Sequence, residues 1–416
     1  MFTSALRAYL TRSFKPFRFK GKYTESLIFT QSDDLGLYVH IPFCRSLCSF
    51  CPYCKVIHEP KLAQKYVQAL LNEIALVGKS LKTKRTTTSL YFGGGTPALL
   101  TDDLKSIIGK LKEYFIITKG IGIELHPDDI TEENLKKLKN AGISMVSLGI
   151  QSFDQNCLSK LGRKRRDFTQ KLELVRQAGF DVVDVDLIFA IPGQTDKTLV
   201  EDVDTAFRYG ATQVSTYPFI DFTFADNQYK PLPERNKKQM LQSLAAHCRN
   251  TGKERTSVWT FANPGTEKYS SITRDNFLGF GVSAATLLQD SFKINTFSIE
   301  AYIERIESEK LPTSLTLDFT KRQRGVYFLF WNAYSMNISP DQFEVIVGVP
   351  LRKMFGFELL VLEKMGLIYR EKGQYRLTDK AAYYYHYIEQ AYTTAYIDKM
   401  WNISRKVPFP EEIVLR

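Results

Sequence analysis

The sequence predicts an α/β fold, with a large domain on a parallel sheet, open or closed into a barrel, and a smaller, mainly helical winged-helix-like domain after it. Three observations carry that reading. Between about 35 and 220, short apolar runs alternate with amphipathic stretches, the pattern of repeated β-α units. Polar and glycine-rich residues gather just after the apolar runs, where parallel-barrel enzymes keep their chemistry. After about 320 the alternation gives way to helices and one hairpin. The chain has 416 residues, more than one ordinary core holds, so two units are expected.

The elements follow in order. Leu35 to Ile41 reads as a strand entering a cysteine-rich loop, and 61–77 as a helix with apolar spacing near 3.6. Ser89 to Phe92 is a strand running into Gly93-Gly94-Gly95-Thr96-Pro97. A helix over 99–114 follows, with Thr101 to Asp103 at its start. Strands over 121–125, 145–150, 182–189 and 213–219 are separated by helices over 131–141, 168–178 and 199–209. Helices are then expected over 321–333, 340–345 and 351–365. A wing-like hairpin over 367–377 and an aromatic helix over 381–400 complete the C-terminal unit. This divides the chain into a basic arm (1–34), a barrel and its extension (35–290), a linker (291–320) and the C-terminal domain (321–416).

Composition limits the function classes. Apolar residues make up 44% and charged residues 24%, values of a globular protein in water. No apolar run approaches the roughly 20 residues of a membrane span. The first 22 residues carry Arg7, Arg12, Lys15, Arg18, Lys20 and Lys22, no acid and no apolar stretch of secretory type, so a basic flap or a disordered arm is expected there. The net charge of +11 suits an acidic substrate or an acidic protein partner. Apart from 163–166 and 82–85 the basic residues are scattered, without interleaved aromatics, so nucleic acid is not expected. Six cysteines, four of them within eleven positions, do not make a disulfide framework, and a reducing cytoplasmic setting is expected.

Cys44, Cys48 and Cys51 form a C-x3-C-x2-C run on one short loop, which suits iron–sulfur ligation. Three thiolates on a four-iron cluster leave one iron open to a substrate or cosubstrate. The alternative is a structural zinc loop with Cys54 as fourth ligand.

Tyr38-Val-His-Ile-Pro-Phe-Cys44, the cysteine run and Gly-Gly-Gly-Thr-Pro together resemble radical S-adenosylmethionine (SAM) enzymes, specifically the oxygen-independent coproporphyrinogen oxidase branch. Leu148-Gly-Ile-Gln-Ser-Phe, Asp186-Leu-Ile-Phe-Ala-Ile-Pro-Gly-Gln-Thr and Gly279-Phe-Gly-Val-Ser-Ala-Ala285 add motifs in the same order. The resemblance implies a partial (β/α)6 TIM-type barrel with a C-terminal mainly helical domain. It implies a [4Fe–4S] cluster on Cys44, Cys48 and Cys51, with SAM chelating the open iron. Gly93, Gly94, Gly95 and Thr96 would admit the amino-acid end of SAM, and Glu124, Gln151, Arg163 and Asp186 match the branch's SAM-binding positions. Tyr38 and His40 would flank the cluster. Cys54 departs from the branch, whose oxidases have C-x-C where this chain has Cys51-Pro-Tyr-Cys54, and reads as a bystander.

By that resemblance, a reduced cluster cleaves SAM to methionine and a 5′-deoxyadenosyl radical that takes a hydrogen from substrate. The electron donor would be an acidic flavodoxin or ferredoxin, and the protein a monomer. The first substrate reading is a tetrapyrrole, with oxidative decarboxylation of coproporphyrinogen III. The alternatives are methyl transfer or cyclopropane formation on another substrate, anaerobic heme-ring opening, and a heme chaperone. The chaperones carry His-Asn-x-x-Tyr-Trp where this chain has the stretch from Tyr269 to Phe277. The oxidases bind a second SAM with a glutamine and an isoleucine, at positions matching Glu267 and Ala285.

Overall fold

The computed structural model describes residues 2–21, 27, 29, 35–164, 168–267 and 275–416. Six parallel strands come in sequence order: β1 (Leu35–Ile41), β2 (Ser89–Gly94), β3 (Ile121–Leu125), β4 (Met145–Gln151), β5 (Val182–Phe189) and β6 (Gln213–Pro218). Each is followed by a helix: α1 (Pro60–Gly78), α2 (Thr101–Tyr114), α3 (Glu132–Asn140), α4 (Phe168–Ala178), α5 (Asp196–Arg208) and α6 (Glu234–Asn250). Sequential order with a helix per strand is the barrel winding. β1 and β6 are not paired, so the barrel stays open: β6 pairs with Thr260–Ala262 and β1 with Asn276–Phe280.

The strands are covered on both faces, as parallel strands must be. β5 has every residue but Asp186 buried. α1 starts on Pro60, whose missing N–H costs nothing there, and buries Tyr66, Val67, Leu70, Ile74 and Val77 at helical spacing. α3 and α5 start on Thr131 and Thr195, whose hydroxyls accept from backbone N–H groups three residues on. One core cluster joins these helices to the sheet.

Beyond Asn276–Phe280 the sheet runs antiparallel through Ala285–Leu288, Ser291–Asn295 and Thr313–Asp318. It then takes in Phe17–Lys20 and ends on Glu412–Leu415. Two sequence expectations differ here. The described part of the basic arm holds a helix, Phe2–Thr11, and that sheet strand. The expected linker holds two strands and a helix, Ile299–Glu307. Both segments are ordered by partners distant in sequence, as in the Phe17↔Leu415 pairing.

The C-terminal part is mainly helical. Lys321–Tyr334, Pro340–Val347 and Leu351–Lys364 pack with a three-stranded wing of Asn337–Ile338, Gln374–Leu377 and Ile368–Glu371. Phe328, Phe343 and Phe355 centre its own core. A last helical rod runs from Asp379 to Lys406 and contains one π-helical turn, Thr393–Ile397. Among the described residues, no helix is long and apolar enough to cross a membrane.

Candidate active site

The C-terminal ends of β1 to β6 open on a cavity of about 540 Å³, within the range of small-molecule sites. Cys44, Cys48 and Cys51 line it, together with Gly94, Gly95, Thr96, Glu124, Gln151, Arg163 and Asp186. Ten of the predicted site residues therefore share one space. Tyr38, His40 and Gly93 do not line it.

The glycine run and the cysteine loop are joined by backbone. Gly95 N–H donates to Ile41 O at 2.8 Å, and Thr96 N–H to Phe43 O at 2.7 Å. A Cβ on Gly95 would stand 2.7 Å from Phe43 O and 2.8 Å from the Pro42 carbonyl carbon, so only glycine permits this approach. Gly94 has φ +124° and donates its N–H to Glu124 Oε2 at 3.0 Å. Tyr91 Oη donates to Glu124 Oε1 at 3.0 Å. Burial pushes the Glu124 carboxyl up to about 7 against those two hydrogen bonds.

His40 lies behind the loop. Its Nε2 stands 2.9 Å from Cys54 O, and a carbonyl only accepts, so Nε2 carries the proton. Tyr38 Oη then donates to Nδ1 at 3.0 Å. Burial lowers His40 to about 4, which keeps it neutral. Tyr38 and His40 thus brace the Cys54 carbonyl from outside the cavity. The Cys54 thiol donates to Phe297 O at 3.3 Å and does not line the cavity.

A register shift between β4 and β5 sets the opposite wall. Asp186 pairs with Gly149 and Leu187 with Gln151, so an extra residue bulges from β4. Gln151 sits at φ +76°, a strained conformation for a residue with a side chain. Arg163 donates to His126 Nε2 at 2.6 Å and to Gly149 O at 3.4 Å. Ser147 donates to Asp186 Oδ2 at 2.6 Å, and burial beside Asp184 raises the Asp186 carboxyl well above its ordinary value. Arg165 and Arg166, read from sequence as part of one basic run with Arg163, lie outside the described residues, as does most of the stretch from Tyr269 to Phe277.

The donor set fits an iron–sulfur cluster better than a single ion. Among the described residues, no three His, Cys, Asp or Glu side chains converge as a mononuclear site requires. A cluster takes its thiolates on separate irons and therefore farther apart. Burial pushes the Cys44 thiol up to about 11, so a bound cation is what would hold it as thiolate.

Residues 38–206 match the Radical SAM superfamily. The chain carries a radical SAM domain. Similar proteins include heme chaperones and oxygen-independent coproporphyrinogen III oxidases. The chain is 28% identical to the heme chaperone HemW of Bacillus subtilis (strain 168), over 82% of this chain and 94% of that protein. It is 27% identical to the oxygen-independent coproporphyrinogen III oxidase of Synechocystis sp., over 67% of this chain and 66% of that one. The fold matches the solved structure of coproporphyrinogen III oxidase (HemN) from Escherichia coli, with a TM-score of 0.74 and 22% identity, over 93% of this chain and 98% of that one.

Several cavity residues come from outside the radical SAM domain and were not singled out from the sequence. Trp259, Phe330, Trp331, Tyr334, Tyr385, Glu389, Tyr392 and Trp401 form an aromatic chamber beyond the cysteine loop. Phe330 stands 5.1 Å from Tyr385 and 5.5 Å from Tyr392, centroid to centroid. The last helical rod also clamps the cysteine loop. Arg405 donates to Pro52 O and lies 4.2 Å over the Phe224 ring, and Trp401 meets Tyr53 at 6.0 Å. The Tyr-rich composition of the rod was visible in sequence, but which face meets the cavity was not.

Proposed function

We propose that this protein is a radical SAM enzyme acting on a tetrapyrrole, with Cys44, Cys48 and Cys51 holding a [4Fe–4S] cluster and Glu124, Gln151, Arg163 and Asp186 holding SAM. The observation that carries this reading is the shared cavity: the three cysteines and the four polar residues line it together, while Cys54 does not line it and bonds Phe297 O. When bound, the cluster and SAM supply a carbon radical able to take an unactivated hydrogen atom from substrate.

The chain's own residues bind and orient. Glu124, held by Gly94 and Tyr91, presents a carboxylate to an ammonium group. Arg163, held by His126, presents a guanidinium to a carboxylate. Asp186, held by Ser147, presents acceptors to ribose hydroxyls. The rod from Asp379 to Lys406 roofs the cavity and limits water entry, which protects a reactive intermediate. An acidic flavodoxin or ferredoxin suits the net charge of +11 as electron donor.

Oxidative decarboxylation of coproporphyrinogen III is the reaction we assign first, supported by the oxidase relatives and by an aromatic chamber able to stack a macrocycle. A heme-carrier role is the second reading, favoured by the length over which the chain matches proteins named heme chaperones. Anaerobic incubation with coproporphyrinogen III, SAM and a reductant separates them. The oxidase reading expects products lighter by CO2 and two hydrogens per propionate. Unchanged substrate with tight one-to-one heme binding contradicts it and supports the carrier.

A further inference from the structure

The chamber beyond the cysteine loop has a polarity of its own. Its walls are aromatic, and the acid on its roof is Glu389. Thr393 Oγ1 donates to Glu389 Oε1 at 2.7 Å, while Oε2 has no hydrogen-bond partner among the described residues. One turn earlier, the buried hydroxyl of Tyr385 also lacks a partner. Buried polar atoms left unpaired are costly; the rod has four, and the two that line the cavity, on Tyr385 and Glu389, point to a ligand that pairs them. The helix changes to its π-helical turn at Thr393, four residues after Glu389, and such turns recur at functional sites.

The cations are elsewhere. The described cations lining the cavity are Arg45, Lys55 and Arg163, all on or beside the cysteine loop. Arg45 pairs with Asp129 and Lys55 donates to Cys51 O. Lys237, the cation that acts on Glu389, is engaged by Glu234 and Gln390. Among the described residues, ligand carboxylates therefore find their counterions toward the loop and not at the Glu389 end. What the roof can take is a hydrogen-bond donor set in an aromatic body.

We propose that Glu389 is a specificity residue that accepts the ring N–H groups of a metal-free tetrapyrrole, so that the chamber prefers a metal-free macrocycle over a metallated one such as heme. This rests on the tetrapyrrole reading above. A tetrapyrrole with ionised side chains has its N–H donors only at its centre, and a bound metal removes them. Stacking on Phe330, Trp331 and Tyr392 is indifferent to the metal, whereas a hydrogen bond to Glu389 is not.

The test is equilibrium titration of the full chain with coproporphyrin III and with its palladium(II) chelate. The two share size and four carboxylates, and square-planar palladium takes no axial ligand. At pH 8, where the Glu389 carboxyl that burial pushes up to about 7 is ionised, the wild type should bind the metal-free form about tenfold more tightly, the size of one hydrogen bond to a charged acceptor. Glu389→Leu should bring the two affinities together by weakening only the metal-free form. Glu389→Gln, which keeps one acceptor oxygen, should fall between them and guards against a folding defect in the leucine variant. Equal affinities in the wild type, or an unchanged preference in Glu389→Leu, would overturn the proposal and leave the tetrapyrrole reading standing. Binding of neither porphyrin would overturn both.

Discussion

Replacing Glu124 with glutamine separates what this carboxylate does for the fold from what it does for a ligand. In the ligand-free protein its carboxyl titrates near 7 instead of the ordinary 4.5, because burial outweighs the hydrogen bonds from Gly94 and Tyr91. The folded state therefore holds this proton more tightly than the unfolded state does. Stability falls as pH rises from about 4.5 to about 7 and is level above that. The gap amounts to roughly 3 kcal/mol lost by pH 8. Glutamine removes that cost but turns its amide toward one of the two donors, losing about 1 kcal/mol. The ligand-free variant should thus be more stable than wild type at pH 8 by about 2 kcal/mol, and no more stable at pH 4.5. Its affinity for SAM should fall about 10- to 100-fold, the range of a lost charge-assisted contact. Thermal melting at the two pH values and calorimetric titration with SAM read both quantities. Unchanged SAM affinity, or a loss of stability at pH 8 equal to that at pH 4.5, would refute the reasoning.

Other sites give independent tests. Gln151→Gly should raise the melting temperature by relieving a φ of +76°, worth about 1 kcal/mol, while weakening SAM binding; a lower melting temperature would show that the conformation is not strained. Gly95→Ala should cost about 1–3 kcal/mol in denaturant unfolding and reduce iron retention, because its methyl would push the Pro42–Phe43 backbone away; wild-type stability would contradict the close approach. Arg405→Ala frees the Pro52 carbonyl and uncovers the Phe224 ring, so proteolysis within 45–55 should quicken; an unchanged cleavage rate would show that the clamp does not hold the loop.

Much of the barrel was legible because its signals are local. The first five strands are marked by residues whose chemistry depends on being there: Cys44 after β1, Gly93 to Thr96 at β2, Glu124 on β3, Gln151 on β4 and Asp186 on β5. Sequential winding then brings these ends together without long-range information. The strand Phe17–Lys20 could not be read, because its four residues become a strand by pairing with Glu412–Leu415 and Thr313–Asp318, both distant in sequence. The strands at 291–295 and 313–318 are short and antiparallel, without the β-α rhythm. The chamber depends on side chains spread from Trp259 to Trp401, and no local pattern announces that Tyr385, Glu389 and Trp259 line one cavity. Tyr38 and His40 were legible as a motif, but their place behind the Cys54 carbonyl needed the coordinates.

The most direct measurement is 5′-deoxyadenosine release after anaerobic iron–sulfur reconstitution, compared among wild type, Cys48→Ala and Cys54→Ala. Cys48 faces the cavity, whereas the Cys54 thiol is bound to Phe297 O outside it. Release should be abolished in Cys48→Ala and persist within a few-fold of wild type in Cys54→Ala. Release in Cys48→Ala at the wild-type rate would contradict the assignment of the three cysteines as the cluster ligands.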